Sequence, residues 1–292
     1  MARLVEAKRG RRISVCLPAR DEAATVGSVV SVIRQALMHD HPLVDELVVI
    51  DDGSTDATAA QARLAGADVL AAADIRPDRP VAGDQGRGGK GQAMWKAVHV
   101  TSGDLIVFCD ADVSDFVAHF VTGLLGPLLA RDDIAFVKGF YQRPLAGRDG
   151  EGGRVTELVA RPLISALFPH LAGLAQPLAG ECAARRDVLE QVTFVDGYGV
   201  DLGLVIDVAE RWGVGALAQC DLGRRVHRNR TLSELGPQAL AVIQVALSRA
   251  GVMSEDALPW QTSLLRPGQE PLVVCLDERP PLAGLPAHRK TA

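Results

Sequence analysis

"DLIVFCDADVSDF", residues 104–116, carries five consecutive apolar residues straight into Asp-Ala-Asp. A short continuous apolar run of this kind reads as a buried strand, and its end on two carboxylates brings that strand to the surface. In an extended chain, residues two apart point the same way, so Asp110 and Asp112 can converge on one oxygen-preferring cation. Alone, the D-x-D pattern is weak, because a solvated loop carries such charges by accident. Its place at the end of an apolar strand is what gives it weight.

Strands and helices alternate around this stretch. "RISVCLPA" (12–19) reads as a first strand, and "EAATVGSVVSVIRQAL" (22–37) has helical apolar spacing, with Asp21 placed to cap it. "DELVVIDDGSTDAT" (45–58) reads as a second strand and a turn, followed by a helix that ends at Gly66. A strand over 67–73, a helix over 89–101 and the strand 104–110 continue the series. Continuous apolar strands alternating with helices imply a parallel sheet covered on both faces. Ligands gather at the carboxyl ends of such strands, where Asp51, Asp52, Asp110 and Asp112 all fall.

The second half reads as a helix over 152–168, a short strand and helix over 177–192, a strong helix over 197–213 and a strand over 214–223. A basic loop, "RRVHRNRT" (224–231), precedes a helix over 232–251, and "PLVVCLD" (271–277) reads as a late strand. No internal repeat and no separating linker occurs, so one mixed α/β domain with a C-terminal extension is expected.

The chain has 292 residues, 48% apolar and 23% charged, which describes a soluble globular protein with a substantial core. No apolar run approaches the roughly 20 residues of a membrane helix, and the basic N-terminus leads into a strand-like segment without a signal-peptide pattern. No membrane association and a cytoplasmic location are therefore expected. The five cysteines are scattered without a CxxC pair and read as buried thiols. A net charge of −5 argues against nucleic-acid binding. It also requires that any anionic ligand be met by local cations. The Gly-rich loop "VAGDQGRGGKGQ" (81–92) fails the Walker A pattern, with Asp84 and Gly91 at two decisive positions, and no GxGxxG follows the first strand. Lys90, at the junction of that loop with a helix, can still meet a phosphate.

A cation shared by Asp110 and Asp112 suits departure of a diphosphate leaving group, whose growing charge a metal stabilises. "LPARDEAATVGSVV", "VVIDDGSTDAT", "GKGQAMWKAV" and "DLIVFCDAD" occur in the order found in the nucleotide-sugar half of GT-A glycosyltransferases. "GGRVTELVARPL", "PLAGECAARR", "GYGVDLGLVID" and "VHRNR" resemble one branch of these, the retaining glucosyl-3-phosphoglycerate synthases. The resemblance spans about residues 12–250. It implies an α/β GT-A fold, a mostly parallel Rossmann-like sheet flanked by helices. Residues 1–142 would be the nucleotide-sugar half, 143–250 the smaller acceptor half and 251–292 a C-terminal extension.

The resemblance also implies roles. Pro18, Ala19, Asp21, Glu22 and Asp52 would surround uridine, where a carboxylate can accept the uracil imide hydrogen. The family often has Asn at the position of Asp21 and Ser at that of Asp52. Lys90 would touch the diphosphate, and Ala111 and Tyr198 would line the donor and acceptor. Asp110, Asp112 and His227 would hold Mg²⁺, with Mn²⁺ or Co²⁺ as alternatives because nitrogen is a poorer ligand for Mg²⁺. Gly153, Arg154, Thr156, Arg225 and Asn229 would bind 3-phosphoglycerate. Asp112 and Asp201 would be the catalytic carboxylates; for Asp201 the alternative is a helix-start carboxylate stabilised by the dipole. The expected reaction moves glucose from UDP-glucose to the 2-hydroxyl of 3-phosphoglycerate with retention, in an expected homodimer. Two other readings stand beside it: an inverting transferase of the same fold acting on another phosphorylated or lipid-phosphate acceptor, and a non-catalytic nucleotide-sugar sensor.

Overall fold

Ile13–Ala19 is apolar at nearly every position and forms strand β1, which is buried on both faces. The structure is a computed structural model and describes residues 1–75, 88–142, 153–225, 231–253 and 260–285. In it β1 lies within a seven-stranded sheet with β2 (Glu46–Asp51), β3 (Asp68–Ala71), β4 (Leu105–Phe108), β5 (Phe136–Gln142) and β6 (Cys182–Arg185). A two-residue strand, β7 (Phe194–Val195), stands apart, and β8 (Leu217–Arg224) completes the sheet in the order β3-β2-β1-β4-β6-β5-β8.

Within this sheet every pairing is parallel except those of β6, which runs antiparallel to both β4 and β5. The mostly parallel sheet expected from the sequence is therefore present, with one reversal. That reversal has a consequence for the site. The carboxyl ends of β1, β2 and β4 lie at one rim, and the antiparallel β6 brings its amino end, Gly180-Glu181, to the same rim.

Helices cover both faces. In chain order they are α1 (Ala2–Ala7), α2 (Val26–Ile33), α3 (Thr58–Ala65), α4 (Lys90–Val100), α5 (His119–Ala130), α6 (Arg161–Leu167), α7 (Arg186–Leu189), α8 (Val200–Trp212) and α9 (Leu232–Arg249). One core packs α1, α2, α3 and α5 against the sheet, and a second packs α4, α6, α8 and α9 against the other face. A β9–β10 pair (Trp260–Leu264 and Leu272–Leu276) follows, tied to α9 by Gln244 Nε2, which donates to Thr262 Oγ1 at 3.0 Å and to the Val274 carbonyl at 3.2 Å. The last strand, β11 (Glu278–Arg279), pairs with β7.

Several expectations need correction. The helix expected from residue 22 starts at Val26, and Asp21 does not cap it: Asp21 Oδ1 instead accepts the Thr55 amide at 2.7 Å. Beyond Ile33 the helix widens into a π-type turn over Arg34–His39. The strand expected from 214 starts at Leu217, after a 3₁₀ turn. Helices α1 and α5 and strands β5 and β9 were not anticipated. Among the described residues no helix is long and apolar enough to cross a membrane.

Candidate active site

The parallel strands leave their acidic ends on one rim, and the rim opens into a cavity of about 610 Å³. Asp110 and Asp112 follow β4. Asp110 Oδ2 and Asp112 Oδ1 both approach one atom, Arg225 Nη2, at 2.9 and 2.5 Å. The two carboxylates thus converge on a single point, as the D-x-D spacing required. Arg225 is 3% exposed; its Nη1 also lies 3.1 Å from Glu181 Oε1 and donates to the Tyr141 hydroxyl at 2.7 Å.

Lys90, in the first turn of α4, reaches Asp110 Oδ1 at 2.9 Å and Asp201 Oδ2 at 3.0 Å. The other oxygen of Asp201 lies 3.0 Å from Lys138 Nζ. Asp201 and Lys138 are 5% and 2% exposed, so this pair forms the floor of the site. Burial works against the charge of Asp110, but Lys90 and Arg225 override it and hold the carboxyl well below the usual aspartate range. Burial likewise opposes the charge of Lys90, and Asp110 and Asp201 more than offset it, raising the ammonium.

The floor holds three cations, Lys90, Lys138 and Arg225, against four carboxylates, Asp110, Asp112, Glu181 and Asp201. An excess of negative charge in a partly buried place calls for a further cation. The donor set fits a hard divalent ion, because Mg²⁺ and similar ions take one or two carboxylates and complete their shell with water and phosphate oxygens. Among the described residues no cluster of three or more His, Cys, Asp or Glu side chains forms a closed metal cage. His227 and Asn229, expected as metal ligand and acceptor contact, lie outside the described residues.

Pro18, Ala19, Asp21, Glu22 and Asp52 also line the cavity. Asp21 has φ +57°, a left-handed conformation unusual outside glycine, and its carboxylate is occupied by the Thr55 amide and hydroxyl at 2.7 and 3.1 Å. Asp52 is the better placed acceptor. Burial raises its carboxyl above the usual range, with Arg20 and the Gly89 amide partly opposing the shift. Arg20 Nη1 lies 3.7 Å from Asp52 Oδ2.

The third wall carries the expected acceptor residues. Gly153 (φ +77°), Arg154 and Thr156 line the cavity, and the Gly153 carbonyl accepts the Glu157 amide at 3.0 Å in the first turn of the helical stretch leading to α6. Ala111 and the half-exposed Tyr198 complete the lining. Every expected site residue among those described therefore faces one cavity.

The chain matches the model of glycosyl transferase family 2 over residues 14–193. It is 44% identical to a glucosyl-3-phosphoglycerate synthase of Mycolicibacterium paratuberculosis over 98% of this chain and 88% of that one. The chain belongs to the glucosyl-3-phosphoglycerate synthases of glycosyl transferase family 2. The family extends to Petrotoga mobilis, whose enzyme of the same name is 37% identical over 97% of this chain and 90% of its own. Among solved structures, glucosyl-3-phosphoglycerate synthase from Mycobacterium tuberculosis in complex with Mn²⁺, UDP-glucose and phosphoglyceric acid superposes with a TM-score of 0.86 at 44% identity, covering 97% of this chain and 94% of that one. The same enzyme with Mn²⁺, UDP and glucosyl-3-phosphoglycerate superposes with a TM-score of 0.82 at 43% identity, with the same coverage of the two chains.

Against this family background, two floor residues stand out as missed by sequence reasoning. Lys138 lies inside an apolar strand, "FVKGFYQ", where a lysine reads as an edge position. Glu181 lies in a loop before β6, inside a segment read for its strand, its helix and its resemblance but without a role for Glu181. The available signal was the charged residue within an otherwise buried run, since such residues are almost always paired.

Proposed function

We propose that this chain transfers the glucosyl group of UDP-glucose to the 2-hydroxyl of 3-phosphoglycerate, releasing UDP and keeping the donor's anomeric configuration. The observation that carries it is one cavity lined by Asp52, by the convergent carboxylate pair Asp110 and Asp112, and by Gly153, Arg154 and Thr156. The names and bound molecules of the relatives support the same reading. In this reading residues 1–142 are the donor half, 143–250 the acceptor half and 251–292 a C-terminal extension.

Asp52 accepts the imide hydrogen of uracil, which distinguishes it from cytosine at the same ring position. Asp110 and Asp112 are the residues that would hold a divalent ion, with His227 as a further ligand. When bound, that ion supplies Lewis-acid stabilisation of the charge growing on the diphosphate. Mg²⁺ and Mn²⁺ both suit two carboxylates and substrate oxygens; a histidine ligand favours Mn²⁺. Lys90 adds a positive charge on the diphosphate side.

Arg154, Thr156 and Asn229 orient the acceptor's phosphate and carboxylate, since free amides, a hydroxyl and a guanidinium at a helix start bind anions together. Asp201 serves as an anchor. Held between the ammonium groups of Lys90 and Lys138, it fixes Lys90 in place. The acceptor proton then passes to the leaving phosphate oxygen on the same face of the sugar. The anomeric carbon's bond to phosphate breaks as its bond to the glycerate oxygen forms, through an oxocarbenium-like transition state.

The test is incubation with a panel of nucleotide sugars and 3-phosphoglycerate in Mn²⁺ or Mg²⁺, with product mass and anomeric proton coupling as readouts. UDP release with a retained glucosyl-3-phosphoglycerate is the expected result. Release only with another acceptor removes the acceptor assignment, and an inverted product removes the front-face route. Tight UDP-glucose binding without turnover would favour a sensor.

A further inference from the structure

We infer that Arg279, in the C-terminal extension, is a positioning residue for the acceptor side of the active site. It acts by clamping the turn that carries Tyr198 and Asp201. The inference rests on the proposed reaction for its kinetic readout only.

The turn Gly197–Gly199 leads directly into α8, whose first turn bears Asp201. Immediately before it, Asp196 is held by two residues of the extension, Asp277 and Arg279. Its amide donates to the Asp277 carbonyl at 2.8 Å. Arg279 Nε lies 3.1 Å from both carboxylate oxygens, and Arg279 Nη2 lies 2.8 Å from Oδ2. The two side chains are 5% and 11% exposed, so the pair is nearly dry and bidentate, the geometry that fixes orientation most tightly.

The same strap reaches the other jaw. Trp95 of α4 donates its indole N–H to the Pro280 carbonyl at 2.9 Å, and Lys90 begins that helix. The two jaws meet backbone to backbone: a Cβ on Gly91 would lie 1.8 Å from the Val195 carbonyl oxygen, and one on Gly89 would lie 2.9 Å from Gly197 Cα. Nothing soft separates Lys90's helix from the turn, so a displacement of Asp196 is transmitted to both. Arg249 anchors the strap behind, with Nη1 at 2.5 Å from Glu278, Nε at 2.6 Å from Asp207 of α8 and Nη2 at 2.9 Å from Thr193.

A local clamp and a merely structural contact predict different things. Arg279→Met, Arg279→Lys and, as a milder probe that keeps all charges, Trp95→Phe are compared with wild type. Amide hydrogen exchange is followed over the whole chain. The clamp requires exchange over 197–203 and 90–94 to quicken by about tenfold or more in Arg279→Met, while the segment 47–58 keeps its wild-type rates. Trp95→Phe should quicken 90–94 chiefly. In kinetics, kcat should fall by roughly tenfold to a hundredfold and the acceptor KM should rise, since a misplacement of about 1 Å suffices for such losses. UDP affinity should stay within about twofold, and Arg279→Lys should recover part of the loss.

Exchange that rises uniformly across the chain, or stays unchanged over 197–203, overturns the inference, as does a matching loss of UDP affinity. If Arg279→Met does not fold, Trp95→Phe alone decides by the same criterion at 90–94. Exchange rates need no substrate, so they judge the clamp even where wild-type enzyme fails to turn over 3-phosphoglycerate, a failure that would count against the proposed reaction instead.

Discussion

Gly180→Ala should disable the site without removing a single functional group. A Cβ at residue 180 would lie 2.1 Å from Asp110 Oδ2 and 2.4 Å from its Cγ. Ordinary contact needs about 3.5 Å, so the carboxylate must retreat by more than about 1 Å. Its two ion-pair contacts, to Lys90 and to Arg225, both stand at 2.9 Å. A retreat of that size stretches them towards about 4 Å, beyond hydrogen-bond range. Charge-assisted bonds contribute about 1.5–3 kcal/mol each. The displaced carboxylate, already partly exposed, regains water, so the net cost to stability should be about 1–3 kcal/mol.

The effect on turnover should be larger than the effect on folding. If Asp110 holds the ion that grips the diphosphate, a misplacement of about 1 Å should lower kcat/KM on the order of a hundredfold. The apparent activation constant for Mn²⁺ should rise in parallel. Steady-state rates across a Mn²⁺ titration, with thermal unfolding of the same samples, read both quantities. Gly173→Ala is the control, since a Cβ there meets nothing within 4 Å. Wild-type kcat/KM and unchanged Mn²⁺ activation in a folded Gly180→Ala protein would refute the placement of Asp110 at the metal.

Four further outcomes follow from the same contacts. Chelation with EDTA should abolish glucosyl transfer and added Mn²⁺ or Mg²⁺ should restore it; full turnover of metal-free protein in a coupled UDP-release assay rules the ion out. Lys138→Met leaves Asp201 with Lys90 as its remaining partner of the two, so unfolding should come about 1–3 kcal/mol sooner, and pairing it with Asp201→Asn should return part of that loss in denaturant titration. Asp52 is raised by burial, so as pH falls it protonates earlier than an ordinary aspartate and loses its acceptor for the uracil imide. UDP affinity by calorimetry should therefore decline with acid in wild type and be flat in Asp52→Asn, whereas the stability contributed by this residue rises as pH falls through its folded pKa, because the folded state then binds the extra proton. Gly126→Ala, in α5 where a Cβ meets nothing within 4 Å, should gain about 0.5–1 kcal/mol, read as a higher Tm with unchanged kinetics.

How much of this was legible in the chain depended on whether a local pattern matched its final environment. β1, β2 and β4 are continuous apolar runs ending in carboxylates, and their carboxyl ends could be read as a rim without knowing the sheet order. Helix α5 was illegible because "HFVTGLLGPLLA" contains two glycines and a proline, each a breaker by propensity. Its buried face, with Phe120, Val121, Leu124, Leu125 and Leu128, makes the helix by packing where local preference opposes it. Asp21 misled in the opposite direction: Asp before a helical pattern is a good cap, but here the amide and hydroxyl of Thr55 take the same carboxylate.

The floor of the site shows the harder limit. Lys138 of β5 and Glu181, just before β6, are far apart in sequence, and the ion pairs that define them reach across the chain, to Asp201 and Arg225. Their meaning arises only when β6 inserts antiparallel between β4 and β5 and sets Cys182 opposite both Phe108 and Lys138. That insertion delivers Glu181 to Arg225 and leaves Lys138 facing Asp201. A sequence reading could foresee that an anionic ligand needed local cations in a chain of net charge −5, and it pointed to Lys90 and Arg225 among them. It could not foresee Lys138, since charge balance at a buried floor is settled by strand order. The D-x-D motif was readable because its two partners are neighbours in sequence, and Lys138 was not because its partner is brought to it by topology alone.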